Sequence, residues 1–450
     1  MITSKPTRRE FLKTTAIATS AALAAPYVKT AHSAGQVSVA LWDHWVPGAN
    51  EAMRQVIEDW GAANNVDVVV DFFASGMAEN PLAQTIAAEA RDRSGHDLVW
   101  LWDWQATRYQ DGLEPVDELV EGLIAQNGPF AENASYLGQH DGVWRAIAAP
   151  CGSHSYPMVS RLDLWREHAG VDFQTMLPAG ERNPEAAKAW TYQALLEGCK
   201  QLHAAGYPFG NPISAASDSE MWLAPLLLAF GSQLMTGDGS IAVDSDGTRA
   251  ALEFLEELTH YMPDGIYEWE NVSNNRWLIE GKGAAIHNPP SAWAVAKDEA
   301  PDVAAQLWHH DVPAGPSGRY RGADPAFFGI WTFAANKAAA KDLITHLCQR
   351  DQVAKIAAGS QGYDTPLQAA FSDIEVWQKE GPPAGTLYNY PIQGDEVQVI
   401  PGYPAPPAIA EKISDTALIA TMVAKVTRDG QSPDDAIAWA EAELETLQKA

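Results

Sequence analysis

Between positions 37 and 102 the hydrophobic period of the chain switches from two to about 3.6 and back, twice, and few folds accommodate that alternation. Val37, Val39 and Leu41 alternate as in a strand. Met53, Val56, Ile57 and Trp60 then recur at helical spacing, and Gly61 is expected to stop that helix. A second strand is read at 66–73, and Asn80-Pro81 opens another helix as N-cap and first-turn residue, with Leu82 and Ile86 on its buried side. A third strand follows at 97–102. This order predicts a parallel sheet with right-handed crossovers, an α/β architecture whose ligand edge lies where the strands end and the loops begin.

Three loops leave that edge: Trp42-Asp43-His44-Trp45, Ala74-Ser75-Gly76 and Trp102-Asp103-Trp104. Two separate Trp-Asp pairs are thus aimed at one place. Tryptophan is abundant throughout, with 17 residues against 13 Tyr and 12 Phe. Surplus indole serves either as core filler or as a stacking surface for a flat or ring-shaped ligand.

With 450 residues, 46% of them hydrophobic and 20% charged, the chain suits a globular protein of two or three domains. Its formal net charge of -28 repels phosphate backbones and anionic lipid head groups, which argues against nucleic acid as a partner. Cys151, Cys199 and Cys348 are too few for a disulfide framework and lack the close spacing of a zinc or redox motif.

The first 34 residues read as a removable address. Thr7-Arg8-Arg9-Glu10-Phe11-Leu12-Lys13 precedes a mildly apolar run at 14–25 and small residues ending at Ala34, and the paired arginines resemble a twin-arginine export signal. The apolar run falls short of the roughly twenty residues a membrane anchor needs, so the expected product is soluble and periplasmic.

Farther along, Gly237-Asp238-Gly239 and Ile241-Ala242-Val243 read as a turn and short strand, and Ser245 or Asp246 caps a helix that turns Leu252, Leu255, Leu258 and Met262 inward. Gly281-Lys282-Gly283-Ala284-Ala285-Ile286 reads as a turn and buried strand ending at His287-Asn288. Helical patterns carry Leu343, Ile344 and Leu347, and later Ile437, Ala440, Leu444 and Leu447. The segment 381–407, rich in Pro, Gly and Tyr, reads as a surface excursion.

Four stretches in this order resemble the family of extracellular solute-binding proteins that includes the maltose-binding proteins of ABC importers. They are Leu41-Trp42 with its helix; Ala148-Ala149-Pro150-Cys151-Gly152 leading to Arg161-Leu162-Asp163-Leu164-Trp165; Gly281-Lys282-Gly283-Ala284-Ala285-Ile286; and 338–348 followed by Gly362-Tyr363-Asp364-Thr365-Pro366. Where the family has a tyrosine and an asparagine before a Lys-Asp-Leu-Phe helix start, this chain has Ser160-Arg161-Leu162-Asp163-Leu164-Trp165. The resemblance implies a two-lobed periplasmic-binding-protein fold of type II. Its discontinuous lobes are expected at 35–149 plus 284–333 and at 150–283 plus 334–450, with a monomer delivering its solute to a membrane permease.

Sugars present apolar C–H faces and hydroxyl rims, so a receptor needs aromatic platforms beside groups that donate and accept hydrogen bonds. Trp42, Asp43, Trp45, Ser75, Trp102, Asp103 and Trp104 are the candidates on the first lobe, and His154 in the loop after the first crossing joins them. By position in the resemblance, Trp222, Asn288, Trp293, Asp324, Phe327 and Tyr363 are expected to face them. A sugar or polyol is the leading solute. A polyamine, betaine or other cation held by Trp faces and Asp carboxylates is the first rival, and a periplasmic enzyme acting on a polysaccharide is the second. No Gly-x-Ser-x-Gly elbow or Walker loop occurs, and no catalytic residue or cofactor is expected. His309-His310-Asp311 and His140-Asp141 lack the spacing of a metal site, since adjacent residues of a strand point to opposite faces.

Overall fold

The computed structural model describes residues 35–74, 80–150, 152–178, 183–377 and 396–449. Residues 1–34, read above as an export signal, together with Ser75, Cys151 and part of the segment 381–407, lie outside the described residues.

The predicted alternation is present as β1 (Gln36–Trp42), α1 (Pro47–Asn64), β2 (Asp67–Phe73), α2 (Pro81–Asp92) and β3 (Leu98–Trp102). β1 lies between β2 and β3 and is parallel to both. Leu98, Val99, Trp100 and Leu101 are all buried, the continuous apolar run expected of a strand covered on both faces. Asn80 caps α2 through its side-chain oxygen, which accepts from the Ala83 N–H at 3.2 Å. Gly61 does not stop α1. The helix runs three residues farther, to Asn64, and the left-handed conformation of Asn65 supplies the C-cap. Gly61 serves close approach instead: a Cβ there would lie 2.8 Å from the Val66 carbonyl oxygen.

Two antiparallel strands complete this sheet. Ala326–Ile330 pairs with β3, and Ile147–Ala148 pairs with Ala326–Ile330, giving five strands. The helices Lys337–Leu347 and Arg350–Gly359 pack on α1.

The second body has two three-stranded sheets. In one, Met158–Arg161 lies between Leu307–His310 and Ala285–His287. In the other, Arg319–Asp324 lies between Glu396–Val399 and His154–Ser155. The helices Ser217–Ala229, Asp246–Thr259, Pro407–Asp415, Leu418–Thr427 and Pro433–Lys449 pack together beside these sheets. Ser245 caps Asp246–Thr259 by accepting from the Thr248 N–H at 3.1 Å. The segment boundaries therefore differ from the expected ones. Ala285–His287 and Leu307–His310 pair with Met158–Arg161, although 284–333 was expected in the first lobe, and the helices at 337–359 pack on α1, although 334–450 was expected in the second. Sequence order hid this because the chain passes between the bodies at short, unremarkable segments.

Two of those passages lie side by side. The Ser153 hydroxyl accepts from the Ala326 N–H at 3.1 Å, across 173 residues of sequence, and His154 pairs with Asp324 in the adjoining ladder. Close approach also fixes the second body: a Cβ on Gly322 would lie 2.1 Å from the Met221 carbonyl oxygen, so the bare backbone of this strand lets the helix Ser217–Ala229 lie directly on it.

Part of the tryptophan surplus is core. Trp60, Trp165, Trp190 and Trp331 are fully buried, and the indole N–H groups of Trp165 and Trp190 donate to the carbonyls of Ala284 and Asp311. Cys199 and Cys348 are buried and free. Among the described residues no helix is long and apolar enough to cross a membrane.

Candidate functional site

The carboxyl ends of β1 and β3 open onto a cleft of about 1020 Å³, whose far wall is built from the second body. Trp42 is the last residue of β1 and Trp102 the last of β3. Parallel pairing sets the two ends side by side, and their rings meet edge to face at 5.1 Å. His154, from the crossing ribbon, lies 4.8 Å from the Trp102 ring and 5.0 Å from the Tyr363 ring.

A carboxylate anchors this aromatic group. His44 Nδ1 accepts from the Val46 N–H at 2.8 Å, which leaves the ring proton on Nε2 to donate to Asp364 at 3.0 Å. Burial works to raise the Asp364 carboxyl, yet the His44 imidazole, with His154 and Ser360 adding to it, holds it below the ordinary carboxylate range. His154 Nε2 stands 3.7 Å from the same carboxylate. Burial, reinforced by His44, lowers the His154 imidazole to about 3, so it is neutral near pH 7 and can donate or accept.

Acids crowd the inner cleft. Asp103 follows β3, Asp324 ends its strand beside the ribbon, and Asp218 sits in the first turn of Ser217–Ala229. Burial is the largest cause in each case: it raises Asp103 to about 6 and Asp218 to about 7, and lifts Asp324 well above the ordinary value, with Asp103 and Asp218 adding to the effect on Asp324. At the rim the Asn288 amide donates to Asn275 at 2.7 Å, and Asn275 donates to the Ser291 hydroxyl at 2.9 Å, a network of groups suited to hydroxyl partners.

Of the residues expected at a site, Trp42, Trp45, Trp102, Asp103, Trp104, His154, Asn288, Asp324 and Tyr363 line this cleft. Four do not. The Asp43 side chain is exposed and accepts from Asn50 at 2.6 Å, tying down its own loop. Trp222 lies in a helix buried on nearly every side, and its indole donates to the Pro212 carbonyl at 2.8 Å. Phe327 belongs to a strand hydrogen-bonded on both edges and buried along its whole length. Trp293 packs against the cluster around Val159 and Ile286, with the Lys297 ammonium 4.2 Å above its ring. Sequence reasoning missed His44, Tyr156, Asp218, Trp269 and Asp364. Asp218 had a readable signal, since Ser217-Asp218-Ser219-Glu220 places two acids at the head of an otherwise apolar helix. Among the described residues no three of His, Cys, Asp and Glu are arranged to hold a metal ion.

The family described as bacterial extracellular solute-binding protein matches residues 47–354, more than half of the chain. The chain belongs to that family. This solute-binding protein is a receptor, not a catalyst, and its family places it outside the cytoplasm. It shares its fold with solved members. MalE3 of T. maritima, solved with maltose, superposes with a TM-score of 0.70 at 19% identity, covering 92% of this chain and 100% of that one. The GacH receptor of Streptomyces glaucescens, solved unliganded and with acarbose, gives 0.71 at 17% identity, with 93% and 99% covered. A sugar transporter from Arthrobacter chlorophenolicus with bound laminaribiose gives 0.68 at 17% identity, with 92% and 99% covered. A comparison with curated protein sequences found no match.

Proposed function

We propose that this solute-binding protein takes a carbohydrate into the cleft and delivers it to the permease of an ABC importer. The observation that carries the reading is the juxtaposition of Trp102, Trp45 and Trp269 with carboxyl, amide and imidazole groups in one cleft. Its volume stands at the upper end of the roughly 300–1,000 Å³ of small-molecule sites, which suits an oligosaccharide. The solved proteins of like fold hold maltose, acarbose and laminaribiose, which supports the same class.

The two bodies act as lobes in this reading. The ribbon at Ser153 and Ala326 is the hinge, and closure is driven by contacts that the ligand makes with both walls. The receptor works as a monomer, and Arg8-Arg9 directs its export through the twin-arginine route. Thermal-shift and tryptophan-fluorescence titrations with mono- and oligosaccharides test the carbohydrate class. Trp102→Ala is expected to weaken binding of any hit by roughly tenfold or more while leaving the protein folded. Unchanged affinity would remove Trp102 from the site.

A further inference from the structure

The charge of the cleft is lopsided. Nine of its lining residues carry carboxyls and two carry guanidiniums. Of those two, Arg108 already pairs with Glu411 at 2.5 Å and with Asp415, and Arg276 stands exposed at the rim.

Among the described residues three acids of the inner cleft, Asp218, Asp324 and Glu220, have no cationic side chain paired with them, whereas Asp103 feels the Arg108 guanidinium. Asp218, only 6% exposed, receives one side-chain hydrogen bond, from Asn274 to Oδ2 at 3.2 Å. Asp324 Oδ1 is buried without a hydrogen-bond partner. Glu220, 2% exposed, lines the same wall and leaves Oε2 unpartnered while Oε1 accepts from the Ala420 N–H. Among the described residues no lysine or arginine forms an ion pair with Asp218, Asp324 or Glu220. A buried carboxylate without compensation is strongly disfavoured, so these groups must either keep a proton or meet a positive charge brought from outside.

The form of that charge follows from what surrounds it. The acids come from separate elements and do not converge as a metal site does. The phenol of Tyr156, 6% exposed, lies among Asp103, Asp218 and Asp324, and the Trp102 ring borders the same space. Carboxylates beside aromatic faces recognise an ammonium group. The Asn288–Asn275–Ser291 network and the Trp45 ring remain for a hydroxylated ring, for which a linear polyamine has no use. We propose that the ligand is an amine-bearing carbohydrate, an amino sugar or its oligomer, with its ammonium among Asp103, Asp218 and Asp324 and a sugar face on Trp102. This rests on the carbohydrate reading above and adds the ligand's charge to it.

Calorimetric titration of the exported protein, from Gly35 onward, separates the two claims. The probes are glucosamine and short chitosan oligosaccharides, their N-acetylated counterparts, maltose and laminaribiose, and spermidine. The expected result is that a free-amine sugar binds roughly tenfold or more tighter than its N-acetylated form, with affinity falling as salt rises. Asp324→Asn and, separately, Asp218→Asn should each lower that affinity by about tenfold, with circular dichroism confirming the fold. Equal or tighter binding of N-acetylated or neutral sugars would overturn the charge assignment and leave the carbohydrate reading standing. Binding of spermidine alone, or of no probe, would overturn both.

Discussion

Replacing Asp364 tests whether one buried carboxylate holds the aromatic wall in place. It is 3% exposed, accepts from His44 Nε2 at 3.0 Å and lies 3.7 Å from His154 Nε2. Asp364→Ala removes a hydrogen bond to a charged group, worth about 1.5–3 kcal/mol, and leaves the His44 N–H buried without an acceptor. The two effects overlap, and a total near 3 kcal/mol is expected at neutral pH. Asp364→Asn keeps an acceptor and loses the charge, so it should lose about 1 kcal/mol. Because the carboxyl is held below its unfolded value, its contribution is present above the unfolded pKa near 4 and is lost as pH falls through the lower folded value. The gap between native protein and variant should therefore stay constant from neutral to weakly acidic pH and close only in strong acid. Urea unfolding at several pH values measures this. An Ala variant within about 0.5 kcal/mol of the native protein, or an Asn variant as unstable as the Ala variant, would refute the reasoning.

Three further outcomes are expected. Gly322→Ala, whose Cβ would meet the Met221 carbonyl oxygen at 2.1 Å, should push the strand off its helix, lower stability by about 1–3 kcal/mol and weaken binding, since Asp324 and Asp218 ride on the two elements; calorimetry and urea melts report both. Arg321 and Glu396 form a wholly buried pair at 2.9 Å, so Arg321→Ala should lose about 3–5 kcal/mol, and the loss should shrink in acid, where the stranded Glu396 takes up a proton; urea melts on either side of neutrality show the difference. Since burial raises Asp103 to about 6 and Asp218 to about 7, and an ammonium is held only while these acids are ionised and the sugar amine is protonated, affinity for an amino sugar should rise as pH passes upward through that window and fall again once the amine loses its proton, as titrations across it will show.

Local chemistry was legible wherever one element decided the outcome. The first five elements followed from periodicity, and Asn80 and Ser245 cap the helices that their positions announce. Two Trp-Asp loops were placed at one edge because parallel strands end together. What failed depends on partners distant in sequence. Gly61 resembles a helix stop until the neighbouring Val66 carbonyl shows why no side chain fits there. Trp222 and Phe327 are aromatic residues near the right positions, yet the pleat and the all-round burial of a helix turn them inward. His44 and Asp364 are separated by 320 residues, and nothing local marks either as the other's partner. The exchange of segments between lobes was hidden for the same reason, as short strands of two to four residues carry little pattern.

The ribbon at Ser153 and Ala326 has a consequence for how affinity can be tuned. Observed affinity is the intrinsic affinity of the closed form multiplied by the fraction of receptor able to close. On the proposed hinge, a substitution in these strands that changes this fraction tenfold changes the apparent dissociation constant about tenfold, without touching a single group that meets the ligand. Selectivity among sugars would be untouched, because every ligand pays the same conformational toll. Residues such as Ser153 and Ala326 would thus set the concentration at which the receptor responds, while the cleft sets what it responds to.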